Sequence, residues 1–368
     1  MKNRKNRIKN RIWIVCALAL TAAIVLLSCK NDAAAENKMN EQANTVGISF
    51  DGKVFERTSF VQIVPKGTKA EIFIDDDSSW NTYCTGGEAN YIPGVFLLKG
   101  VFLKNRKVRL SPFELSQYEV TQELYEALMW RNPSNFNTGS DQRLRPVETV
   151  NWYEAIVFCN RLSKKLGLTP YYTINGGAIG WENIEYDEIP GEGADKEERE
   201  KWDNVTFDKT GKGFRLPTEA EWEFAARGGN AKSPGWKYAF SGTQCTPLDP
   251  DRFKDKPADT NLDLYGWYKG NSGGKTYAVG TKKPNRLGLY DMSGNVQEWC
   301  FDWTTALTTG TIEEDPHGGP RPAVEEPARI TRGGSYYEVA YDCAVSRINW
   351  YYPYRHANYL GIRLARSL

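Results

Sequence analysis

Histidine is scarce in this chain, with only His317 and His356 among 368 residues. Two imidazoles cannot build a three-histidine metal centre, and no Ser-His-Asp arrangement can be argued from them. An excess of charge of one sign is also missing. Lys and Arg number 47 against 46 Asp and Glu, for a net charge of +1, which removes the global electrostatic case for nucleic acid. No phosphate-cradling glycine loop occurs. The long hydrophobic run at residues 12–27 is short for a membrane span. Cysteine comes in an awkward number: beyond Cys29, the residues Cys84, Cys159, Cys245, Cys300 and Cys343 form an odd set, so one of these thiols must stay out of any intramolecular pairing. Which of them pair is open.

What is present begins with Lys2, Arg4, Lys5, Arg7, Lys9 and Arg11 ahead of that apolar run. Basic residues followed by a short apolar stretch have the layout of a secretory signal. The run ends in Leu26-Leu27-Ser28-Cys29, which resembles a bacterial lipobox. The resemblance implies a signal peptide over 1–28 and lipidation of Cys29, tying the mature chain to the bacterial cell envelope, on its outer surface. Residues 29–45 are rich in Ala, Asn, Glu and Gln without apolar periodicity and read as a flexible tether. The remainder, 46–368, is expected to be one domain, with 46–100 its N-terminal extension. Phe50, Val54 and Phe55, then Ile63, Ile72 and Ile74, predict short strands there.

Three helices are signalled by their caps. Thr121 precedes Leu124, Tyr125, Leu128 and Met129 at helical spacing. Asn151 with Glu154 forms a capping box before Ala155, Ile156, Cys159, Leu162 and Leu166, predicting a helix over 152–166 in which Cys159 acts as a small buried hydrophobe. Thr218 with Glu221 opens a short helix that Gly228-Gly229 closes; Glu221 and Glu223 point different ways on it. The mixed-charge stretch 182–203 reads as a solvated loop or exposed helix. Short β-prone pieces between Gly, Pro and Asn turns fill much of the rest, so the fold class is α+β and loop-rich.

The densest signal lies between Arg332-Gly333-Gly334-Ser335 and Gly361-Ile362-Arg363, where Tyr and Trp crowd together with Glu338, Asp342, Asn349, Arg355, His356 and Asn358. A core would favour Leu, Ile, Val and Phe. Tyr and Trp instead give rigid contact area with a polar handle, the composition of a recognition surface.

Six ordered segments carry a family resemblance. They are Phe113-Glu114-Leu115-Ser116 with Tyr118-Glu119-Val120-Thr121, Pro146-Val147-Glu148 with Val150-Asn151-Trp152, 214–223 (FRLPTEAEWE), 288–299 (GLYDMSGNVQEW), Arg332-Gly333-Gly334-Ser335 and Gly361-Ile362-Arg363. Together they resemble the formylglycine-generating-enzyme (sulfatase-modifying factor) family over about 100–368. The resemblance implies a C-type-lectin-like fold with two main helices and a small twisted antiparallel sheet. It also implies two cysteines after Gly-Gly-Ser for a sulfatase-cysteine oxidase, but Glu338 stands at the first position and Cys343 at or near the second. A carboxylate does not replace a thiolate in Cu(I) binding or disulfide exchange, so the chain is expected not to be an enzyme. From the same resemblance a structural calcium would be held by Asp291 and Glu298 with the carbonyls of Gly294 and Val296; no other cofactor is required.

The lipobox and the aromatic segment together look like a TvpA-type variable lipoprotein of a diversity-generating retroelement. That likeness implies a ligand-binding face made of Tyr337, Glu338, Val339, Tyr341, Asp342, Trp350, Tyr351, Tyr352, Tyr354, His356 and Tyr359, held by Arg332, Gly333, Gly334, Gly361 and Arg363. The expected partner of this monomer is a protein or glycan outside the cell. A sulfatase-modifying oxidase and a structural envelope lipoprotein are the competing readings.

Overall fold

The computed structural model describes residues 47–73, 100–208, 210–244, 259–307 and 310–368. The expected signal peptide, Cys29, the tether, Ile74, Cys84 and Cys245 lie outside these residues.

Strands appear where β-prone residues meet turn signals. Asp51 and Gly52, at φ 51° and 75°, join β1 (Ser49–Phe50) to β2 (Lys53–Val54) in the positive-φ geometry of a two-residue hairpin. β3 (Phe60–Val64) buries all but Gln62, and β4 (Ala70–Phe73) buries Ile72. β5 (Lys107–Leu110) and β6 (Phe113–Ser116) follow. Thr121 then accepts the Leu124 N–H and starts α1 (Gln122–Met129), which ends at Trp130 in a left-handed conformation. The predicted box of Asn151 and Glu154 caps α2 (Trp152–Lys165), whose residues 152–163 are all buried. After β7 (Tyr172–Ile174), the mixed-charge stretch supplies α3 (Lys196–Asp203), buried only at Trp202 and Asp203. β8 (Val205–Phe207) and β9 (Phe214–Arg215) lead to α4 (Glu219–Ala226), capped by Thr218 and Glu221 and buried along its length. The strands that complete the domain are β10 (Gln297–Trp303), β11 (Ile312–Glu314), β12 (Arg329–Arg332), β13 (Asn349–Tyr351), β14 (Leu360–Gly361) and β15 (Ala365–Ser367).

Two four-stranded sheets organise these pieces. One runs β3-β6-β15-β9, all antiparallel; the other runs β13-β12-β10-β14, with β14 parallel to β10. A three-stranded sheet, β11-β5-β4, and the pairs β1-β2 and β7-β8 flank them. The α+β architecture is as expected, with four α-helices among the described residues where two main ones were anticipated and two parallel strand pairs there in addition to the antiparallel ones. Residues 60–64 extend the domain's own sheet, because β3 pairs with β6.

The larger core gathers α1 and α2 around Tyr125, Trp152, Phe158 and Trp299. The second gathers buried residues of α4, β5, β6 and β12, the fully buried Trp222 among them. Cys159, Cys300 and Cys343 are buried free thiols, so Cys159 serves as the small hydrophobe its helix position predicted.

Candidate binding face

The two ends of the aromatic segment are fixed by buried charge. Arg332 is 0% exposed; it reaches Glu219 at 3.3 Å, pairs with Glu223 and donates to the Val345 carbonyl at 2.7 Å. Glu223 also pairs with Arg227 and accepts the Val101 N–H, whereas Glu221 turns to Arg215. Arg363 grips Glu298 at 2.7–2.9 Å and donates to the carbonyls of Ser116 and Tyr290. Buried arginines joined in this way position the backbone. Between them, Gly333 and Gly334 adopt φ 97° and 69°. A Cβ on Gly334 would lie 2.7 Å from the Asp342 carbonyl oxygen and from Cys343 Sγ, so only glycine admits this close fold-back.

The residues expected to form one face fall into separate groups. Tyr337, Tyr351 and Tyr359 make the first. The ring of Tyr359 lies 6.4 Å from that of Tyr337 and 5.7 Å from that of Tyr351. Tyr336 is buried beneath, edge-on to Phe136 at 5.0 Å, while Tyr337 is 62% exposed. Glu338 lies among them, accepting from Ser335 Oγ at 2.7 Å and from Gln297 Nε2. Burial pushes its carboxyl up to about 7.

Trp350, Tyr352 and Tyr354 make the second group, with Tyr352 stacked on Tyr354 at 5.5 Å and Arg199 over Tyr354. The split follows from strand geometry: successive side chains of β13 alternate, so Trp350 leaves on the face opposite Asn349 and Tyr351. Tyr341 and Asp342 face Arg347. Val339 is partly buried. His356 Nε2 meets Glu154 Oε1 at 2.9 Å, and its ring stands beside Gly191. Burial opposes the charge on His356, but the Glu154 hydrogen bond and carboxylate outweigh it and raise the imidazole above its ordinary value.

Sequence reasoning missed the loop beside the first group. Lys269 N–H donates to the Glu338 carbonyl at 2.8 Å and Ser272 Oγ to that of Tyr336 at 2.8 Å. Trp267 stacks on Tyr277 at 3.8 Å, with Lys282 over it at 3.8 Å. The run Trp267-Tyr268-Lys269-Gly270 in a Gly-rich loop was the available signal.

The redox chemistry open to this face is narrow. Cys343 is 0% exposed, and burial followed by the charge of Glu338 drives its thiol well above the ordinary value. Its neighbour at the other expected cysteine position is the carboxylate of Glu338. Cys159 and Cys300 are likewise buried and raised. A protonated, inaccessible thiol is neither a nucleophile nor a metal ligand.

Around Asp291 the donor set is hard oxygen. Glu119, Asp291 and Glu298 are buried near Arg363, and Asp291 Oδ1 has no hydrogen-bond partner while Oδ2 accepts the Gly280 N–H. Burial pushes Asp291 up to about 6, and burial with the charges of Asp291 and Glu298 raises Glu119 well above its ordinary value. An orphaned buried carboxylate oxygen in an acidic surplus fits a hard cation at the Asp291 end. Glu298 is engaged differently, since its oxygens accept from Arg363 and from Trp222 Nε1.

Comparison with known proteins extends these observations. The profile of the sulfatase-modifying factor enzyme 1-like domain matches residues 85–368. Chaperone protein LppX of Paenibacillus barcinonensis is 35% identical over 297 residues, 74% of this chain and 87% of that protein. The formylglycine-generating enzyme of Thermomonospora curvata is 36% identical over 140 residues, 37% of this chain and 42% of the enzyme. Among solved structures, Treponema denticola variable protein 1 matches with a TM-score of 0.64 and 36% identity, covering 88% of this chain and 98% of that one. PvdO from Pseudomonas aeruginosa, 20% identical with a TM-score of 0.51 over 84% of this chain and 94% of its own, shares the fold.

Proposed function

The chain belongs to the sulfatase-modifying factor enzyme 1-like family, and from that premise we propose that it is a non-catalytic bacterial envelope lipoprotein that binds a protein or glycan through the Tyr337, Tyr351 and Tyr359 group. Its α+β architecture is the C-type-lectin-like fold of the formylglycine-generating-enzyme type. One observation carries the reading: the exposed ring of Tyr337, with the half-buried rings of Tyr351 and Tyr359 packed against the core beside it, stands with a carboxylate, Glu338, where the family's oxidases need a thiolate. The likeness to a variable protein and to a protein named LppX supports an envelope lipoprotein anchored through Cys29. The name chaperone, given to that relative, adds a client polypeptide to the protein ligands worth testing.

Two measurements test it. A cysteine-containing sulfatase peptide incubated with the protein, copper and oxygen should stay unmodified; formylglycine in the product would restore the oxidase. Ligands selected from glycan and peptide libraries should lose about 2 kcal/mol of binding in Tyr337→Ala or Tyr359→Ala, while Trp130→Ala, outside the group, leaves binding unchanged. Equal binding by all three variants defeats the assignment of the face. A reverse transcriptase gene beside a near-copy of the final coding segment would mark the face as diversified.

Calcium is proposed as a structural ion held by Asp291 and the carbonyls of Gly294 and Val296, with Glu298 at the edge of the site. Chelation with EGTA should lower the melting temperature, calcium should restore it, and Asp291→Asn should abolish the difference. At a hundredfold excess over Kd the ion would contribute about 2.7 kcal/mol.

A further inference from the structure

The face of β12 and β13 that carries Ile330 and Trp350 borders a cavity of about 1200 Å³. Trp303, Leu307, Ile330, Ile348 and Trp350 give it an apolar wall, and Glu313, Glu314, His317 and Arg321 stand elsewhere in its lining. Its floor is acidic: Asp302 and Glu219 both line it, at 5% and 4% exposure. Asp302 uses Oδ2 to accept the Glu219 N–H at 2.8 Å, and Glu219 turns Oε1 towards Arg332 at 3.3 Å. The second oxygen of each carboxylate takes no hydrogen bond among the described residues. The charged groups nearer the rim are engaged elsewhere, Arg106 with Glu313 and the Val101 carbonyl, Arg321 with Asp203, and His317 Nδ1 against the Asp315 carbonyl, while Arg332 below the floor pairs with Glu223.

We propose that this cavity is a second binding site, separate from the tyrosine group, for a ligand with an ammonium or guanidinium group on an apolar body. The cationic group sits against Asp302 and Glu219, and the apolar part lies along Trp303 and Trp350. Two buried carboxylates that share one space disfavour each other's ionisation, and a cation between them removes that conflict. Burial, then the charge of Glu219, pushes Asp302 up to about 8; burial raises Glu219 although Arg332 opposes it. Cation binding near neutral pH therefore releases a proton from the floor. A pocket of this size with an apolar wall and a few convergent polar groups has the form of a small-molecule or side-chain site.

Titration calorimetry with phenylbutylamine and with the acetylated, amidated tripeptide Leu-Arg-Leu tests this, using phenylbutanol and the citrulline tripeptide as neutral counterparts. At least one cationic probe should bind about tenfold or more tightly than its counterpart, and the stronger of the two separates a small amine from a polypeptide source. Measured in buffers of different ionisation heat, that binding should release protons. Asp302→Asn keeps an acceptor for the Glu219 N–H and should reverse the preference for charge. Ala306→Trp, at the exposed mouth, should block entry without touching the floor or the tyrosine group. No binding by either cation, equal binding of the neutral probes, absence of proton release, or undiminished binding in Ala306→Trp would each overturn the proposal. None of these outcomes depends on Tyr337 or Tyr359, so failure here is distinguishable from failure of the proposed function.

Discussion

At the scale of single residues, the frame rests on places where one side chain alone fits. Gly334→Ala would place a methyl group 2.7 Å from Cys343 Sγ at a φ of 69°. Overpacking and backbone strain together should cost about 3 kcal/mol, read as a lower melting temperature and weaker ligand binding in the same variant. Arg332→Met should be worse, since it leaves buried Glu223 with Arg227 alone and takes from buried Glu219 its ion-pair partner; a loss of about 3–5 kcal/mol in denaturant unfolding is expected. The importance of Arg332, Gly333, Gly334, Gly361 and Arg363 was legible in the sequence, because they bracket the aromatic segment. Their partners were not. Glu219, Glu223 and Glu298 stand far away along the chain, and no local spacing pairs them with the arginines. Glu338 was legible as a missing thiol, whereas its burial against Gln297 required the fold.

Among the secondary-structure elements, caps were the readable part. Thr121, Asn151 and Thr218 each sit at the helix start they predicted, because a side chain that satisfies the first free N–H groups acts within three residues. Strand faces were less readable. A strand as short as β13 has too few alternations to declare its inner side, so the departure of Trp350 from the tyrosine group follows only from its pairing with Ile330 of β12. α2 also carries a pH-dependent link, because Glu154 both closes the capping box and accepts from His356. Glu192 and Arg355 are the other charges facing this imidazole. Its folded-state value is raised, so the contribution is fully present below the unfolded value of about 6.5 and is lost as pH rises through the folded one. The melting-temperature gap between the native protein and His356→Gln should accordingly be widest near about pH 5.5 and should shrink above neutrality. A gap that widens with pH would reject the link.

For the whole molecule, the N-terminal extension is part of the frame. β3 covers the edge of β6 and buries Phe60, Val61, Ile63 and Val64, so deleting residues 47–64 should produce an aggregating chain in size-exclusion chromatography. A monomeric, unchanged species would contradict this. The sheet order β3-β6-β15-β9 also sets a sequence of events in time. β15 lies in the interior of that sheet, hydrogen-bonded to β6 on one side and β9 on the other. Of the strands described it is the last to leave the ribosome, so its neighbours wait unjoined while the whole aromatic segment is synthesised. Nascent chains stalled before Ala365 should remain open to protease, and closure should come late, as a single step.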